Sequence, residues 1–463
     1  MPTKKKLLVL LPDGIGLRNF VFSDFPKIVD EKNLNLTYWN GTDFDLSRLN
    51  LEAIRLKGNV HYKTDLLKKA RKEIEIRQFI KKFNNKIYWY YLFKNSQRNI
   101  KSYIKKIWLK KLIFNYQNDL NTLREKIKSQ ERKTPYYKNC IHQIRKEKPD
   151  LLFCTNQRPV NAISPIIAAQ DLGIPTATFI FSWDNIPKAT MVIETDYYFV
   201  WSNHMADELK NYYSYIRDEQ IIVTGSPQFE MHFKNEIRLD KKTFCKAYNI
   251  PLNKDFLCFS GDDITTSPHD PTYLEDVCQA VKVLNANGHN YHLIFRPCPV
   301  DFSDRYDDVL NKNKDVVTRL RPAWEKQGEV WNTVFPTKDD ETLLYNTIEH
   351  SDLIINLGSS MVFDAYCHNK TCAYIKYNPT DIELKKDVNT VYKYVHFQSM
   401  PTKDAVVWLN SKAEISDKIL KGIQQAQMYT ENAESWFKCI NEHPPQYATT
   451  RLTNAILNLM NTK

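Results

Sequence analysis

Polar segments that directly follow apolar runs are the places in this sequence where chemistry can be done. The most specific is residues 356–364 (NLGSSMVFD), where a predicted strand leads through Gly358, Ser359 and Ser360 into a helix. Hydroxyls and backbone N–H groups at the start of a helix bind phosphate oxygens. The segment therefore predicts a phosphate or pyrophosphate site. The alternative is a plain helix cap by one of the two serines.

Two other segments predict contacts to the same group. Residues 293–301 (LIFRPCPVD) end a strand with Arg296, which can bind a phosphate through two parallel hydrogen bonds. Residues 260–269 (SGDDITTSPH) form a polar loop in which Gly261, Ser267 and His269 are candidates for the same ligand. The alternatives are a surface arginine at a strand end and a loop that only caps a helix.

Two carboxylates are candidates for a general base that deprotonates a hydroxyl. Asp184 lies in residues 181–188 (FSWDNIPK), and Asp13 lies in residues 12–18 (PDGIGLR). Asp184 is slightly favoured, with Asn185, Lys188 and Arg18 expected to bind the molecule that carries the hydroxyl. Because Asp next to Gly or Asn is common in turns, ordinary loop formation is the alternative for both.

A D-x-D string at Asp43 and Asp45 is of the kind that holds a divalent cation and a diphosphate in one class of transferases. Such triplets arise readily by chance, and the pattern of strands and helices contradicts the fold of that class. We predict no catalytic metal and no cofactor other than an activated co-substrate.

The elements around these segments alternate between strand and helix in two series. We expect a first Rossmann-like domain over 1–235, a charged linker over 234–246, a second domain over 236–425, and final helices over 426–463 that can cross back to the first. The Rossmann dinucleotide motif G-x-G-x-x-G is absent from both series. Since ligands bind at the carboxyl ends of parallel strands, the site is expected in a central cleft that both domains face.

Residues 63–148 interrupt the first series with long amphipathic helices. From Lys63 to Lys133 there are 21 basic and 6 acidic residues, which gives this segment a net charge of 21 − 6 = +15. That charge is larger than the net charge of the whole chain, which is +11. Lysines alternate with aromatic and aliphatic residues in 104–114 (IKKIWLKKLIF), a pattern that suits an anionic membrane surface. The alternative is a solvated face over a core. Nucleic acid is not expected, because no nucleic-acid-binding module is visible.

Composition favours the cytoplasm. The nine cysteines are scattered without a C-x-x-C pair, and the first apolar run is too short for a signal peptide. No run of about 18 apolar residues predicts a membrane span. We expect a cytoplasmic protein that can be peripheral on the inner face of the cytoplasmic membrane.

With these motifs in place, the sequence resembles bacterial GT-B transferases of capsule, lipopolysaccharide and teichoic-acid synthesis over about 149–230 and 256–378. The Arg296 segment and the Gly358 serine segment resemble elements that bind the nucleotide in CDP-glycerol glycerophosphotransferases and in CMP-sugar Kdo and sialyl transferases. Cys298 stands where those families have a histidine. Residues 182–188 stand where the glycerophosphotransferases have a catalytic histidine, which would give the base role to Asp184.

The resemblance implies an α/β protein of the GT-B type that transfers a sugar from a nucleotide-activated donor to a membrane-proximal glycan or lipid-linked acceptor. Because a pair of glutamates near the serine segment is not visible, inversion without a metal is expected. The alternatives are transfer of a polyol phosphate, a non-catalytic GT-B scaffold of an assembly complex, and, ranked last, a nucleotide-sugar epimerase.

Overall fold

A computed structural model describes residues 4–92, 100–326, 334–380 and 382–462. Residues 93–99 of the predicted insertion lie outside the described residues. The chain forms two compact units. Unit 1 contains residues Met1–Pro227 and the segment from Ile440 onward, and unit 2 contains Gln228–Cys439.

Unit 1 is built on a seven-stranded parallel sheet in the order β3-β2-β1-β4-β5-β6-β7. Its central strands are buried, as expected for a parallel sheet covered on both faces, and the apolar run from Leu7 to Leu11 is fully buried. The strands are β1 (Lys6–Leu11), β2 (Asn35–Asn40), β3 (Ala53–Arg55), β4 (Leu151–Cys154), β5 (Thr176–Phe179), β6 (Tyr197–Val200) and β7 (Ile221–Val223).

The described residues of the helical insertion predicted over 63–148 form four α-helices between the third and fourth strands of the sheet. Asp119 caps the third of them through Thr122 N–H, and Thr134 caps the fourth, which has Pro135 at its first position. Their apolar faces share one core with β1 and β4. The helices of this part of the chain are α1 (Phe25–Glu31), α2 (Tyr62–Phe83), α3 (Ile100–Tyr116), α4 (Leu120–Glu131), α5 (Pro135–Glu147), α6 (Ile163–Asp171) and α7 (Asn203–Tyr212).

Unit 2 is built on a six-stranded parallel sheet in the order β10-β9-β8-β13-β14-β15, with β11 and β12 forming a separate antiparallel pair. The strands are β8 (Asp255–Ser260), β9 (Tyr291–Arg296), β10 (Val317–Arg319), β11 (Glu325–Lys326), β12 (Val334–Phe335), β13 (Ser351–Asn356), β14 (Thr371–Ile375) and β15 (Val407–Leu409). The helices are α8 (Lys241–Tyr248), α9 (Asp270–Ala286), α10 (Asp307–Lys312), α11 (Lys338–Glu349), α12 (Met361–Cys367), α13 (Ile415–Gln424), α14 (Ala426–Ile440) and, after the boundary, α15 (Ala448–Asn461).

The predicted linker over 234–246 is wrong, because most of it is folded. Asp240 caps α8 through Thr243 N–H, and Phe244 is fully buried against Phe256 and Ile294. The charges of this segment lie on the outer face of an amphipathic helix. A high density of charged residues is therefore not sufficient evidence for a linker. The three-residue edge strands β3, β10 and β15 also escaped prediction, since so short a strand leaves no clear periodicity.

The C-terminal helix α15 belongs to unit 1, where it packs on α1 and β4. Arg451 on α15 donates from Nε to the carbonyl of Thr224 (2.8 Å), and Ser226 N–H donates to Asn441 (2.8 Å). Gly225 between these two contacts has a φ of +77°, which favours glycine. The segment predicted as 426–463 is thus divided after Cys439, and the first unit ends at Pro227 where a boundary near 235 was predicted.

Candidate functional site

Three predicted donor-binding segments of unit 2 meet at one edge of its sheet. Strands β9, β8 and β13 are parallel neighbours. Arg296 is the last residue of β9, Gly261 follows β8, and Gly358 follows β13. The carboxyl ends of adjacent parallel strands are where open α/β sheets bind ligands.

The turn at Gly358 is tightly fixed. Gly358 has a φ of +69°, and a Cβ there would lie 3.0 Å from the ring of Phe397. Ser359 N–H donates to Asn356 Oδ1 (2.8 Å), and Ser359 Oγ accepts from Met361 N–H (3.3 Å). The hydroxyl of Ser359 therefore acts as a cap on α12, as the alternative interpretation had it, whereas the side chain of Ser360 makes no capping bond.

Ser267 and His269 line a small depression in unit 2. Leu357, the neighbour of Gly358, and Lys386 line the same depression. His269 Nε2 accepts from the N–H of Lys385 (3.0 Å), and burial lowers the pKa of His269, so the ring is neutral at pH 7. The structure thus brings Ser267 and His269, two residues predicted to bind the donor, next to the Gly358 turn. It also places a cation there, Lys386, which was not predicted.

Asp270 organises this loop and was not singled out from the sequence. It accepts hydrogen bonds from Asp262 N–H, Tyr306 Oη and Ser267 Oγ, each at 2.8 Å. Burial raises its pKa to about 6. Arg305 completes the network by donating to the carbonyls of Asp262 and Ser267. The available signal was an Asp directly before Pro271, which is typical of a helix start.

Arg296 is more engaged than predicted. Its Nη2 lies 2.9 Å from both carboxylate oxygens of Asp340, which also accepts from Ala323 N–H and Trp324 Nε1. Its Nη1 is buried without a hydrogen-bond partner among the described residues. Because Nη2 is hydrogen-bonded to Asp340, a phosphate bound through both Nη1 and Nη2 does not fit this arrangement. At Cys298, burial raises the thiol pKa to about 12, so the sulfur is neutral.

Four side chains of unit 2 form a buried hydrogen-bonded chain, here called the histidine relay. Asp364 Oδ1 lies 2.8 Å from His232 Nε2, His232 Nδ1 lies 2.9 Å from His368 Nε2, and His368 Nδ1 lies 2.9 Å from Glu349 Oε2. The relay connects residue 232 to α12 and α11. Sequence reasoning missed it, because its members are scattered along more than a hundred residues.

In unit 1, a second set of candidates meets at the edge formed by the parallel neighbours β1, β4 and β5. Asn156, after β4, donates to Asp13 Oδ2 (2.9 Å), after β1. Gln157 donates to Asn185 Oδ1 (3.2 Å), which follows β5, and Asn185 donates to Asp184 (2.7 Å). Asn156 and Gln157 were not predicted, although polar residues after a buried strand were a usable signal.

The two candidate bases differ in their surroundings. Burial raises the pKa of Asp13 to about 6, against hydrogen bonds from Ile15 N–H and Asn156 and the charge of Arg158. Asp184 instead accepts from Ser182 and Asn185 and forms an ion pair with Lys188. A base with a pKa near the working pH suits proton abstraction, whereas a carboxylate already held by three donors does not. This geometry favours Asp13.

The other predicted residues of unit 1 are placed as follows. Arg18 begins a helical turn, Arg18–Phe22, directly after the Asp13 turn. Asn185 is 3% exposed and holds Gln157 and Asp184, so it positions the site. Asp43 pairs with Arg55 (2.6 Å), and Asp45 caps the turn at Ser47. Among the described residues, no group of three or more His, Cys, Asp or Glu side chains is placed to hold a metal ion.

The chain is similar to known proteins in its structure. No protein family matches the chain in sequence, and no curated protein does. A glycosyltransferase from Rickettsia africae is 9% identical with a TM-score of 0.53, over 100% of both chains. A UDP-GlcNAc 2-epimerase from Methanocaldococcus jannaschii is 12% identical with a TM-score of 0.53, over 98% of this chain and 100% of the other.

A putative UDP-N-acetylglucosamine 2-epimerase from Listeria monocytogenes is 10% identical with a TM-score of 0.52, over 100% of this chain and 98% of the other. At such identities the likeness establishes the fold and leaves the reaction to be argued from the site. Two parallel sheets flanked by helices, matched along the whole chain, show that the protein has the GT-B fold with two Rossmann-like units and a basic helical insertion in the first.

Proposed function

We propose that the protein is a glycosyltransferase that uses a nucleotide-activated sugar. The observation that carries the proposal is the edge of the unit 2 sheet, where Arg296, Gly261 and Gly358 follow adjacent strands beside the depression lined by Ser267 and His269. The names of the structural neighbours, a glycosyltransferase and UDP-sugar epimerases, support a nucleotide sugar as the ligand.

The reaction we propose is a single, inverting displacement. A base takes the proton of an acceptor hydroxyl while that oxygen attacks the anomeric carbon of the donor sugar, and in unit 1 the candidate for this base is Asp13. The bond from this carbon to the donor phosphate breaks, and the nucleotide leaves with the bonding electrons. Lys386 and Nη1 of Arg296 in unit 2 are the groups that can stabilise the leaving phosphate. The mechanism uses neither a metal nor a cofactor.

An epimerase is the second candidate, because two of the three neighbours reported above carry that name. An epimerase acts on the nucleotide sugar alone and gives a product without an acceptor. Incubation of the purified protein with UDP-GlcNAc alone separates the two reactions: a transferase leaves the sugar configuration unchanged, whereas an epimerase gives the 2-epimer. Product analysis in the presence of an acceptor also separates sugar transfer from polyol-phosphate transfer. A protein that turns over no donor would be a scaffold.

The donor site is tested by thermal-shift measurements with CMP-, CDP-, UDP-, GDP- and dTDP-linked compounds. We expect one nucleotide class to raise the melting temperature, since a ligand at 100 times its Kd stabilises a protein by about 2.7 kcal/mol. Lys386→Met is expected to weaken this binding about tenfold, because Lys386 lines the depression. Lys385→Met is the control, since its side chain is exposed. Equal losses in both variants, or no shift by any compound, would contradict the proposed site.

We also propose that α3 binds an anionic membrane surface. Its inner face packs into the core of the insertion, but five large side chains on the outer side are about half or more exposed: Tyr103, Ile104, Ile107, Trp108 and Phe114. Lys105, Lys106, Lys110 and Lys111 on the same helix are also exposed. An apolar outer stripe flanked by lysines fits a lipid surface with anionic headgroups. None of the described helices is long and apolar enough to cross a membrane. We propose the inner face of the cytoplasmic membrane as the surface that α3 contacts.

Sedimentation with phosphatidylglycerol vesicles tests the membrane proposal. Phe114→Asp combined with Trp108→Asp is expected to reduce the bound fraction at least fivefold, because it removes apolar area and adds negative charge. Tyr62→Asp is a matched control: Tyr62 begins α2 and is 67% exposed, as is Tyr103. Binding should also weaken as salt rises. If the double variant sediments like the control, α3 does not bind the membrane.

A further inference from the structure

Two large aromatic side chains of unit 1 are exposed next to the residues that follow Asp184. Trp89 and Tyr90 lie on the helical turn Lys86–Tyr91, here called the aromatic turn, and their exposed fractions are 43% and 59%. The aromatic turn packs against the turn Ile186–Lys188. The insertion therefore brings an aromatic surface to the part of unit 1 where acceptor-binding residues were predicted.

Consecutive tyrosines at the end of α7 hold both turns in place. Tyr88 Oη lies 2.6 Å from Tyr212 Oη, and Tyr213 Oη donates to the carbonyl of Ile186 (2.9 Å). The ring of Phe79 on α2 packs edge-on against both of these tyrosines, with ring centroids 4.8 and 6.0 Å apart. The position of the aromatic turn beside residue 186 is therefore fixed by direct contacts.

The indole ring of Trp89 is held by a cation. The guanidinium carbon of Arg77 lies 5.6 Å from the centroid of this ring, and Arg77 is itself held by Glu73 (2.7 Å). Much of the ring nevertheless stays open to solvent. A large aromatic ring that is already oriented can receive a flat ligand at a low cost in conformational entropy.

Glu208 adds a hydrogen-bonding group to this region. It lies one turn before Tyr212 on the same face of α7, and this helix also packs against the turn Ile186–Lys188. Its Oε1 lies 3.7 Å from His204 Nε2, whereas its Oε2 is buried without a hydrogen-bond partner among the residues that the structure describes. Burial, and then the charge of Asp184, raises the pKa of Glu208 to about 8. The carboxyl is therefore mostly protonated at pH 7 and can both donate to a hydroxyl and accept from one.

An aromatic surface beside a carboxyl suits a sugar ring. The C–H groups on one face of a pyranose pack against an aromatic ring, while the hydroxyls at its rim form hydrogen bonds to polar side chains. A bilayer stays outside the protein surface and cannot hydrogen-bond a buried oxygen such as Glu208 Oε2, whereas a hydroxyl that projects from a bound ring can. These features favour a glycan over a lipid surface as the ligand.

We propose that Trp89, Tyr90 and Glu208 form a subsite for one sugar ring of the acceptor. The ring stacks on the aromatic turn, and one of its hydroxyls forms a hydrogen bond with Glu208. The role of acceptor rests on the proposed function, whereas the binding of a sugar ring does not.

Saturation-transfer-difference NMR of the full chain tests the stacking surface. The probes are the β-methyl glycosides of glucose, galactose, mannose and N-acetylglucosamine, added without nucleotide. We expect saturation transfer to the ring C–H protons of at least one of them, and Trp89→Ala should reduce this signal at least fivefold. Trp108→Ala is the matched control, since Trp108 on α3 is 53% exposed and has Lys111 5.6 Å from its ring centroid, as Trp89 has Arg77. The control should change the signal less than twofold.

Two substitutions at Glu208 test the hydrogen bond. Glu208→Met removes both carboxyl oxygens at a similar side-chain length and is expected to raise the Kd of the bound glycoside three- to tenfold. Glu208→Gln keeps one donor group and one acceptor, so its Kd should stay within twofold of the wild-type value. Both variants are expected to fold, which circular dichroism checks, because the methionine removes a buried oxygen that has no described hydrogen-bond partner.

Three results would overturn the proposal. The first is no saturation transfer from the wild type to any of the four glycosides, and the second is an equal signal from Trp89→Ala and Trp108→Ala. The third comes from phosphatidylglycerol vesicles: if Trp89→Ala lowers the sedimented fraction as strongly as Trp108→Ala does, the aromatic turn belongs to the membrane-binding surface. Each result leaves the nucleotide test in unit 2 unaffected, so failure here is distinct from failure of the proposed function.

Discussion

Replacing Asp13 with Asn is expected to lower kcat by about 10²- to 10⁴-fold, the usual contribution of a general base. Asn has nearly the same shape and keeps an oxygen for the hydrogen bond from Ile15 N–H or Asn156, so the fold should persist. It cannot accept the proton of the acceptor hydroxyl. Initial-rate kinetics with saturating donor and acceptor measure the effect, and circular dichroism checks that the variant is folded.

Asp184→Asn is the matched control for this experiment. Because Asp184 is held by Ser182, Asn185 and Lys188, we expect its replacement to lower kcat less than tenfold. The pH profile adds a second readout. With a pKa of about 6 for Asp13, kcat/KM should fall about tenfold per pH unit below pH 6, and the Asn variant should lose this limb. A larger loss at Asp184 than at Asp13 would transfer the base role to Asp184.

Replacing His232 with Ala is expected to destabilise unit 2 by about 2 to 5 kcal/mol. The substitution removes two hydrogen bonds and leaves polar atoms of Asp364 and His368 without the imidazole that they contact in the buried relay. Hydrogen exchange of peptides from β13 through β14, read by mass spectrometry in increasing urea, reports unit 2 by itself. His289→Ala is the control, since His289 is exposed, and it should change stability by less than about 0.5 kcal/mol.

The same relay gives stability a pH dependence on the acid side. Burial, and then the neighbouring His232, lowers the pKa of His368 to about 4, whereas an unfolded histidine has a pKa of about 6.5. Between these values the unfolded state binds more protons, so stability is lost as pH falls from about 6.5 to 4. His368→Asn should reduce this slope. An unchanged slope in that variant would assign the acid sensitivity to other buried histidines.

The sequence was sufficient for the fold because the two strand-helix series are long and regular. Buried runs such as residues 7–11 and 353–356 can hardly be anything but central strands of a parallel sheet. Where the hydrophobic pattern of the sequence was weak, the predicted secondary structure was wrong. The charged residues of α8 were interpreted as a linker. The buried face of this helix is formed by residues such as Phe244, and its burial is visible only in the folded structure.

The candidate site was predictable only in part. Residues that follow strands, such as Gly358 and Asp13, were located because parallel sheets place such residues at one edge. What could not be predicted was which side chains would already be engaged. Arg296 is paired with Asp340, 44 residues away, and such a long-range partner depends on tertiary packing, which spacing along the chain does not encode. The partner of Asp184 is Lys188, only four residues along the chain, but the spacing alone does not say whether the two side chains meet or bind a ligand.

The histidine relay fixes which ring nitrogen carries a proton at its buried positions. Because the pKa of Glu349 is lowered and burial keeps the ring of His368 neutral, His368 donates from Nδ1 to Glu349 and accepts at Nε2 from Nδ1 of His232. The carboxylate at the end of α11 thus sets the proton positions of two rings in turn, and the second of these rings belongs to residue 232.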